Sequence, residues 1–326
     1  MKLQILVPQW HETDDIIRPL LTSIALQQGV NFDDIGVIIT NDGSDVFLTD
    51  EFLKSFPFDV QYIKAEHHGV SATRNACLDA ATADYVMFCD ADDMFFHMCG
   101  LFIVFREINK GDGFDVLVSE FLEETKNPET NELFYVKHEH DSTFVHGKVF
   151  RREYLMTNEI RFKDELTIHE DSYFNSLAQT LAETPKYCTV PFYLWKWRDD
   201  SICRHDPKYI LKTYNNMIDS STALAKEYIR REEILQAQSV ATSLIYNAYY
   251  CMNKDEWINQ ENVEYKTATE KRFKAFFIEF KELFEQIPEK LKKQIIIAVK
   301  NQMFREGLFM ETITFDAWIK HVMEEY

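Results

Sequence analysis

Several short stretches combine residue types that could do chemistry. The first is Asp90-Ala91-Asp92-Asp93, which follows the apolar run Tyr85-Val86-Met87-Phe88-Cys89. Side chains two apart on a strand share a face, so Asp90 and Asp92 can converge at a strand end. Two carboxylates there suit a hard divalent cation, Mg²⁺ or Mn²⁺, and such a cation suits a substrate that carries phosphates. A plain acidic turn is the other reading, since Asp is common in turns. The second stretch is His169-Glu170-Asp171-Ser172-Tyr173-Phe174. Its adjacent carboxylates at a helix start either complement the helix dipole or supply a general base for a hydroxyl nucleophile. The third runs from Trp195 through Trp197, Arg198 and Arg204 to His205. Its cations could neutralise a leaving diphosphate and His205 could complete a metal shell, or the segment is a strand end with solvated charges.

Two further motifs are weaker alone. Asp42, in Asn41-Asp42-Gly43-Ser44-Asp45, could accept from a nucleobase imide or a ribose hydroxyl, but the sequence is also an ordinary turn. Gly69-Val70-Ser71-Ala72-Thr73-Arg74-Asn75 opens a helix. Its glycine permits close backbone approach, and its helix N-terminus and Arg74 favour phosphate.

These residues need elements to position them. Leu3 to Val7 reads as a buried strand closed by Pro8, and Ile16, Ile17, Leu20, Leu21 and Ile24 keep helical spacing behind Asp14 and Asp15. Strands follow at 35–40, 59–64 and 85–89, with a helix over 71–83 capped by Ser71. Each strand reads as apolar on both faces. Alternation of such strands with helices predicts a parallel sheet covered on both sides. Ligands in such sheets bind beyond the carboxyl ends of the strands. Here those ends carry Gln9-Trp10-His11-Glu12, Asn41-Asp42-Gly43-Ser44 and Asp90-Ala91-Asp92-Asp93. Further strands are expected at 115–123, 133–136 and 187–195, with a helix from Arg151 and another after His169. From Pro207 the chain turns to long amphipathic segments broken near Lys254, Pro288 and Glu306. The expected division is an α/β domain at 1–206 and a helical domain at 207–326.

A chain of 326 residues is long enough for two domains with a sizeable core. A formal net charge of −19 opposes non-specific binding to nucleic acid or anionic lipid, and makes a cation useful wherever an anionic substrate is held. The six cysteines are scattered without CxxC or zinc spacing and read as reduced core thiols of a cytoplasmic protein. The N-terminus lacks the pattern of a signal peptide, and no stretch approaches a membrane span. Work at a membrane would then be peripheral, at its inner face.

Taken in order, Val7-Pro8 with Glu12, Asn41-Asp42-Gly43-Ser44, Gly69-Val70-Ser71 with Arg74-Asn75, Phe88-Cys89-Asp90-Ala91-Asp92-Asp93 and His169-Glu170-Asp171-Ser172-Tyr173-Phe174 resemble the family 2 glycosyltransferases, which have the GT-A fold. The resemblance spans roughly residues 1–205. It implies a Rossmann-like, mostly parallel sheet with helices on both faces. It also implies an inverting, metal-dependent enzyme that uses a nucleotide-diphosphate sugar, most commonly UDP-linked. Under it, Pro8, Glu12, Asp42, Arg74, Asp90, Ala91 and Arg198 would bind the nucleotide sugar. Asp92, Asp90 and His205 would hold Mn²⁺ or Mg²⁺, and Asp171 would be the catalytic base. An ionised Asp171 needs no raised pKa for that role. Trp10-His11 replaces the family's usual aromatic-Asn pair, and Asn41 replaces its usual Asp. The Gln-x-x-Arg-Trp motif of processive members is absent, which favours single-sugar transfer.

The acceptor is open: a surface glycan or teichoic-acid-like polymer, a lipid-linked sugar, a protein, or hydroxylated bases of viral DNA, the last disfavoured by charge. A nucleotidyltransferase and an inactive sugar-nucleotide-binding module are the competing functions. The Glu170-Asp171 pair argues against the first and the intact carboxylate set against the second. The helical domain is expected to bind acceptor or to mediate self-association.

Overall fold

The computed structural model describes residues 1–127, 129–199, 209–252, 263–305, 317 and 320. The chain divides into two compact units, Met1–His205 and Asp206–Tyr326.

In the first unit β1 (Leu3–Gln9), β2 (Ile35–Asp42), β3 (Asp59–Ala65) and β4 (Tyr85–Phe88) alternate with α1 (Asp14–Ala25), α2 (Asp50–Leu53) and α3 (Val70–Ala80). β1 pairs with both β2 and β4, and β2 with β3, all parallel. This half of the sheet is the one the strand–helix alternation predicts. β2 is buried along its whole length, and β1 is almost as dry. β3 differs from the expectation of two apolar faces. It pairs only with β2 at the end of the sheet, and its residues are partly or fully wet, as an edge strand allows.

Beyond β4 the sheet is mixed. The later elements are β5 (Met94–Phe95), α4 (Gly100–Ile108), β6 (Val116–Lys126), β7 (Leu133–His138), β8 (Lys148–Arg151), α5 (Arg152–Thr157), α6 (Glu170–Thr180) and β9 (Pro185–Trp195). The strand order is β3-β2-β1-β4-β8-β6-β9-β5, with β7 paired to β6 as a hairpin. β8 lies antiparallel to both β4 and β6, and β9 runs parallel to β6. β8 gives no strand signal in the sequence. It is four residues long and is bounded by Lys148 and Arg151, too short to display a period of two. The helix expected from Arg151 begins one residue later, after that strand.

The core runs along the sheet from Leu3, Ile5 and Val7 of β1, through Val37 and Ile39 of β2, to Met87, Leu117, Phe121 and Val149. A second cluster, of aromatic rings, seats α6. Phe174 stacks on Phe162 at 4.1 Å and 2°, and meets Phe88 and Phe150 edge-on at 5.5 and 5.3 Å. Such pairs add specific geometry to simple burial. Phe88 is the last residue of β4, so this cluster fixes the start of α6 relative to the Asp90 strand end.

Of the described cysteines, Cys77 and Cys89 are buried free thiols, whereas Cys99 and Cys188 are half-buried and so are not core residues. The second unit is helical among the described residues: α7 (Tyr209–Arg230), α8 (Ile234–Met252), α9 (Val263–Glu279), α10 (Lys281–Glu285) and α11 (Glu289–Arg305). Tyr214, Ile218, Leu244, Phe273, Phe276 and Val299 form part of its apolar interior. No helix among the described residues is long and apolar enough to cross a membrane.

Replacing the fully buried Phe174 by Ala is expected to cost about 3–5 kcal/mol of unfolding free energy. The same change at the exposed Phe134 should stay within about 0.5 kcal/mol. Chemical denaturation of both variants checks this.

Candidate active site

Three strand ends, the first turns of α3 and α6 and the chain just past β9 supply the polar groups. At the end of β2, Asp42 is buried and accepts from the backbone N–H of His68 at 2.9 Å and of Gly69 at 3.1 Å. His67 Nδ1 adds a contact of 2.9 Å. The turn that allows this needs glycine at position 43. Its φ is +73°, and a Cβ there would lie 2.4 Å from the His67 nitrogen. Asn41, which stands where the family has Asp, serves the loop: it accepts from Ser44 N–H and donates to the Val46 carbonyl. Trp10, beyond the end of β1, is half exposed and stacks on His67 with ring centroids 5.5 Å apart. This aromatic pair beside Asp42 is not apparent in the sequence, where Trp10 and His67 stand in separate loops.

Pro8 is the penultimate residue of β1, opposite Thr40 in register. Glu12 folds back so that its carboxylate accepts from Trp10 N–H at 2.6 Å. Burial pushes the Glu12 carboxyl above its ordinary range, against that hydrogen bond. Arg198, just past β9, sits 3.0 Å from Asp92 and 4.0 Å from Glu12.

Arg74 organises the deepest part. α3 begins at Val70, and Gly69 before it, with a φ of +90°, is its N-cap. Ser71, expected as that cap, instead donates to the Leu166 carbonyl at 2.8 Å. One turn into the helix, Arg74 is buried. Its Nη1 donates to Asp171 at 2.6 Å and Glu170 at 2.9 Å, and its Nη2 to Asp90 at 2.9 Å. The side chain expected to face phosphate therefore faces three carboxylates. Glu170 and Asp171 are the first residues of α6, and His169 before them holds a left-handed φ of 66°. Positive φ is uncommon outside glycine and marks a constrained turn.

The charges do not balance, since one guanidinium meets three carboxylates. Burial works against the Arg74 charge, but Asp171, Asp90 and Glu170 outweigh it and hold the arginine protonated. For Asp90, burial pushes upward and the Arg74 guanidinium more than offsets it, so its carboxyl lies below the ordinary range. Asp171 goes the other way. Burial lifts it to about 7, only partly countered by Arg74, and the neighbouring Glu170 and Asp90 charges add to the rise. The base role does not require this rise; the burial and crowding of the site produce it. Its other oxygen accepts from Val145 N–H at 3.3 Å.

Asp90 and Asp92 offer carboxylate oxygens of the kind a hard cation takes. Burial and the Asp90 charge both raise the Asp92 carboxyl, a repulsion that a bound cation would relieve. Arg74 takes only Oδ1 of Asp90. Ala91 between them is buried and turns the chain. His205 lies outside the described residues. Asp93, Asp90 and His146 also bring one ligand atom each within 4.8 Å of one another. Asp93 is already engaged there, accepting from the Tyr193 hydroxyl and from Lys196 N–H. Its carboxyl is pushed well up by burial and by Asp92 and Asp90. His146 is buried with Nδ1 4.0 Å from Asp93 and without a hydrogen bond, and burial lowers its pKa to about 4. Neither His146 nor Tyr193 carries a signal in the sequence, because both reach Asp93 only through the packing of β8 and β9.

Residues 4–112 match the family model Glycosyl transferase family 2. EpsH of Bacillus subtilis strain 168 is 24% identical over 268 residues, 76% of this chain and 75% of that one. The minor teichoic acid biosynthesis protein GgaB of the same organism is 32% identical over 72 residues, 21% of this chain and only 8% of GgaB. Among solved structures, S. aureus TarS 1-349 in complex with UDP superposes with a TM-score of 0.66 at 16% identity, covering 100% of this chain and 91% of that one. A likeness at that identity speaks for the fold.

Replacing Arg74 by Met leaves buried carboxylates without their cation and is expected to cost about 3–5 kcal/mol at neutral pH. Asp90, held below its ordinary range, contributes stability above that range and loses it as the pH falls through its folded pKa. The gap between variant and wild type should therefore narrow toward acid, which urea denaturation across pH measures.

Proposed function

This chain is a family 2 glycosyltransferase of the GT-A fold, and from that premise we propose that it moves one sugar, with inversion, from a UDP-linked donor to an acceptor hydroxyl. The observation that carries the reading is the bond of one buried guanidinium to both Asp171 and Asp90. It sets a carboxylate of raised basicity beside the acidic strand end, whose carboxylates suit a cation for the donor diphosphate. The UDP complex of the TarS structure supports the choice of nucleotide.

Asp42 accepts from the donor's base or ribose, held ready by the 67–69 turn. Trp10 and His67 offer an aromatic face beside it. Asp92 and Asp90 would hold a divalent cation, Mn²⁺ or Mg²⁺, which would supply positive charge to the departing diphosphate. Arg198, already against Asp92, is the protein's own cation on that side. On the acceptor side Asp171 takes the hydroxyl proton. Its Oδ1 is committed to Arg74, so Oδ2, with its longer bond to Val145, is the receiving oxygen. A pKa of about 7 gives this carboxylate more affinity for the proton than an ordinary Asp while leaving much of it ionised near neutrality. The acceptor we propose is a surface glycan or a teichoic-acid-like polymer, in keeping with the match to GgaB.

Asp171→Asn should lower transfer by about 10²–10⁴-fold while leaving UDP affinity intact. Full transfer in that variant would remove Asp171 from the base role. A thermal-shift panel of nucleotide sugars should give stabilisation by UDP-sugars that needs Mn²⁺ or Mg²⁺ and disappears with EDTA. Stabilisation that is indifferent to EDTA would count against the metal.

A further inference from the structure

Lys148, the first residue of β8, is fully buried. A buried ammonium is costly unless it is paired and hydrogen-bonded. Here its partners lie in the turn immediately before it. Lys148 Nζ donates to Asp141 Oδ1 at 3.3 Å and to the Phe144 carbonyl. The same Asp141 oxygen accepts from the backbone N–H groups of Thr143 at 2.9 Å and Phe144 at 2.8 Å. One cation and one carboxylate thus fold residues 141–144 into a fixed loop. α6 grips the loop from the other side, Asn175 donating to the Thr143 carbonyl at 3.0 Å. The next residue is Val145, whose N–H points at Oδ2 of Asp171.

Resting on the reading of Asp171 as the base, we propose that Lys148 is a positioning residue for it. Its ammonium fixes the 141–146 loop so that Val145 N–H meets the oxygen that receives the acceptor's proton. Lys148 does not touch substrate in this role. It orients the second oxygen of a carboxylate whose first oxygen Arg74 already holds. Without it the loop loses the bond to the Phe144 carbonyl, leaves Asp141 without its cation, and lets Val145 withdraw from Asp171. The charged groups facing Asp171 are Arg74, Glu170, Asp90 and, from beneath the loop, Lys148 itself.

The test compares full-length wild type, Lys148→Met and Asp171→Asn. It measures kcat for transfer, the dissociation constant of UDP with Mn²⁺, and the acid limb of the kcat–pH profile. For Lys148→Met the expected result is a fall in kcat of about tenfold or more, with UDP affinity changed less than about twofold. The acid limb should rise by about half a pH unit, the scale of one lost hydrogen bond to a carboxylate. A general loosening of the fold would weaken UDP binding along with kcat and leave the limb in place, and that result overturns the proposal. So does wild-type kcat. If Lys148→Met does not fold, Lys148→Gln, which removes the cation beside Asp141 but keeps one donor toward Phe144, is compared instead. A smaller fall in kcat and a limb shift in the same direction are then expected. Transfer by Asp171→Asn would sink the base reading and this inference with it. An inactive Asp171→Asn beside a fully active Lys148→Met would sink the inference alone.

Discussion

Inside the first unit a single guanidinium, sealed from water, is shared by carboxylates from two different elements. Arg74 comes from the first turns of α3, Asp90 from the end of β4, and Glu170 and Asp171 from the start of α6. No pair among these carboxylates could be buried together unaided, since like charges at low dielectric repel strongly. The arginine makes their proximity tolerable, and its planar fork fixes their directions as well as their charge. Because it is outnumbered, the deficit has to be absorbed somewhere. Together with burial, the larger cause, it falls on Asp171, whose carboxyl rises toward neutrality while that of Asp90 is held down. Two carboxylates around one cation are thereby pushed apart in pKa, which suits one to hold charge and the other to exchange a proton.

The surrounding fold serves that arrangement. Parallel strands β1, β2 and β4 end side by side, so their following loops meet on one edge of the sheet. Positive φ at Gly43, Gly69 and His169 turns the chain sharply at three of the places where a functional side chain is presented. The aromatic cluster of Phe88, Phe150, Phe162 and Phe174 then locks α6 onto the strand that carries Asp90. Beneath the loop that faces Asp171, the buried Lys148 repeats the theme on a smaller scale, a cation placed where only its partners can explain it.

Much of this is legible in the sequence because it is written locally. The strands β1, β2 and β4 are continuous apolar runs, and each ends in a polar cluster within a few residues. The order of those clusters points to the family that the comparisons support. What escapes depends on long-range packing. Arg74 sits 96 and 97 residues from Glu170 and Asp171, so nothing adjacent to it shows that it will be spent on carboxylates. Asp93, in the sequence only a third acid, is fastened by Tyr193, which lies 100 residues on. β8 is too short to show a period, and with it Lys148 passes as an ordinary charged residue. The raised pKa of Asp171 follows from burial and crowding together, neither of which a helix-start motif reveals.

The most direct measurement is a carboxyl ¹³C NMR titration of the full chain, with Asp171→Asn used to assign the signal. One aspartate should titrate near 7 and its signal should vanish in that variant. If the Asp171 carboxyl instead titrates at about 4, the ordinary value for an aspartate, then the arginine is not outnumbered in the way described, and the basis for Asp171 as a strengthened base is gone.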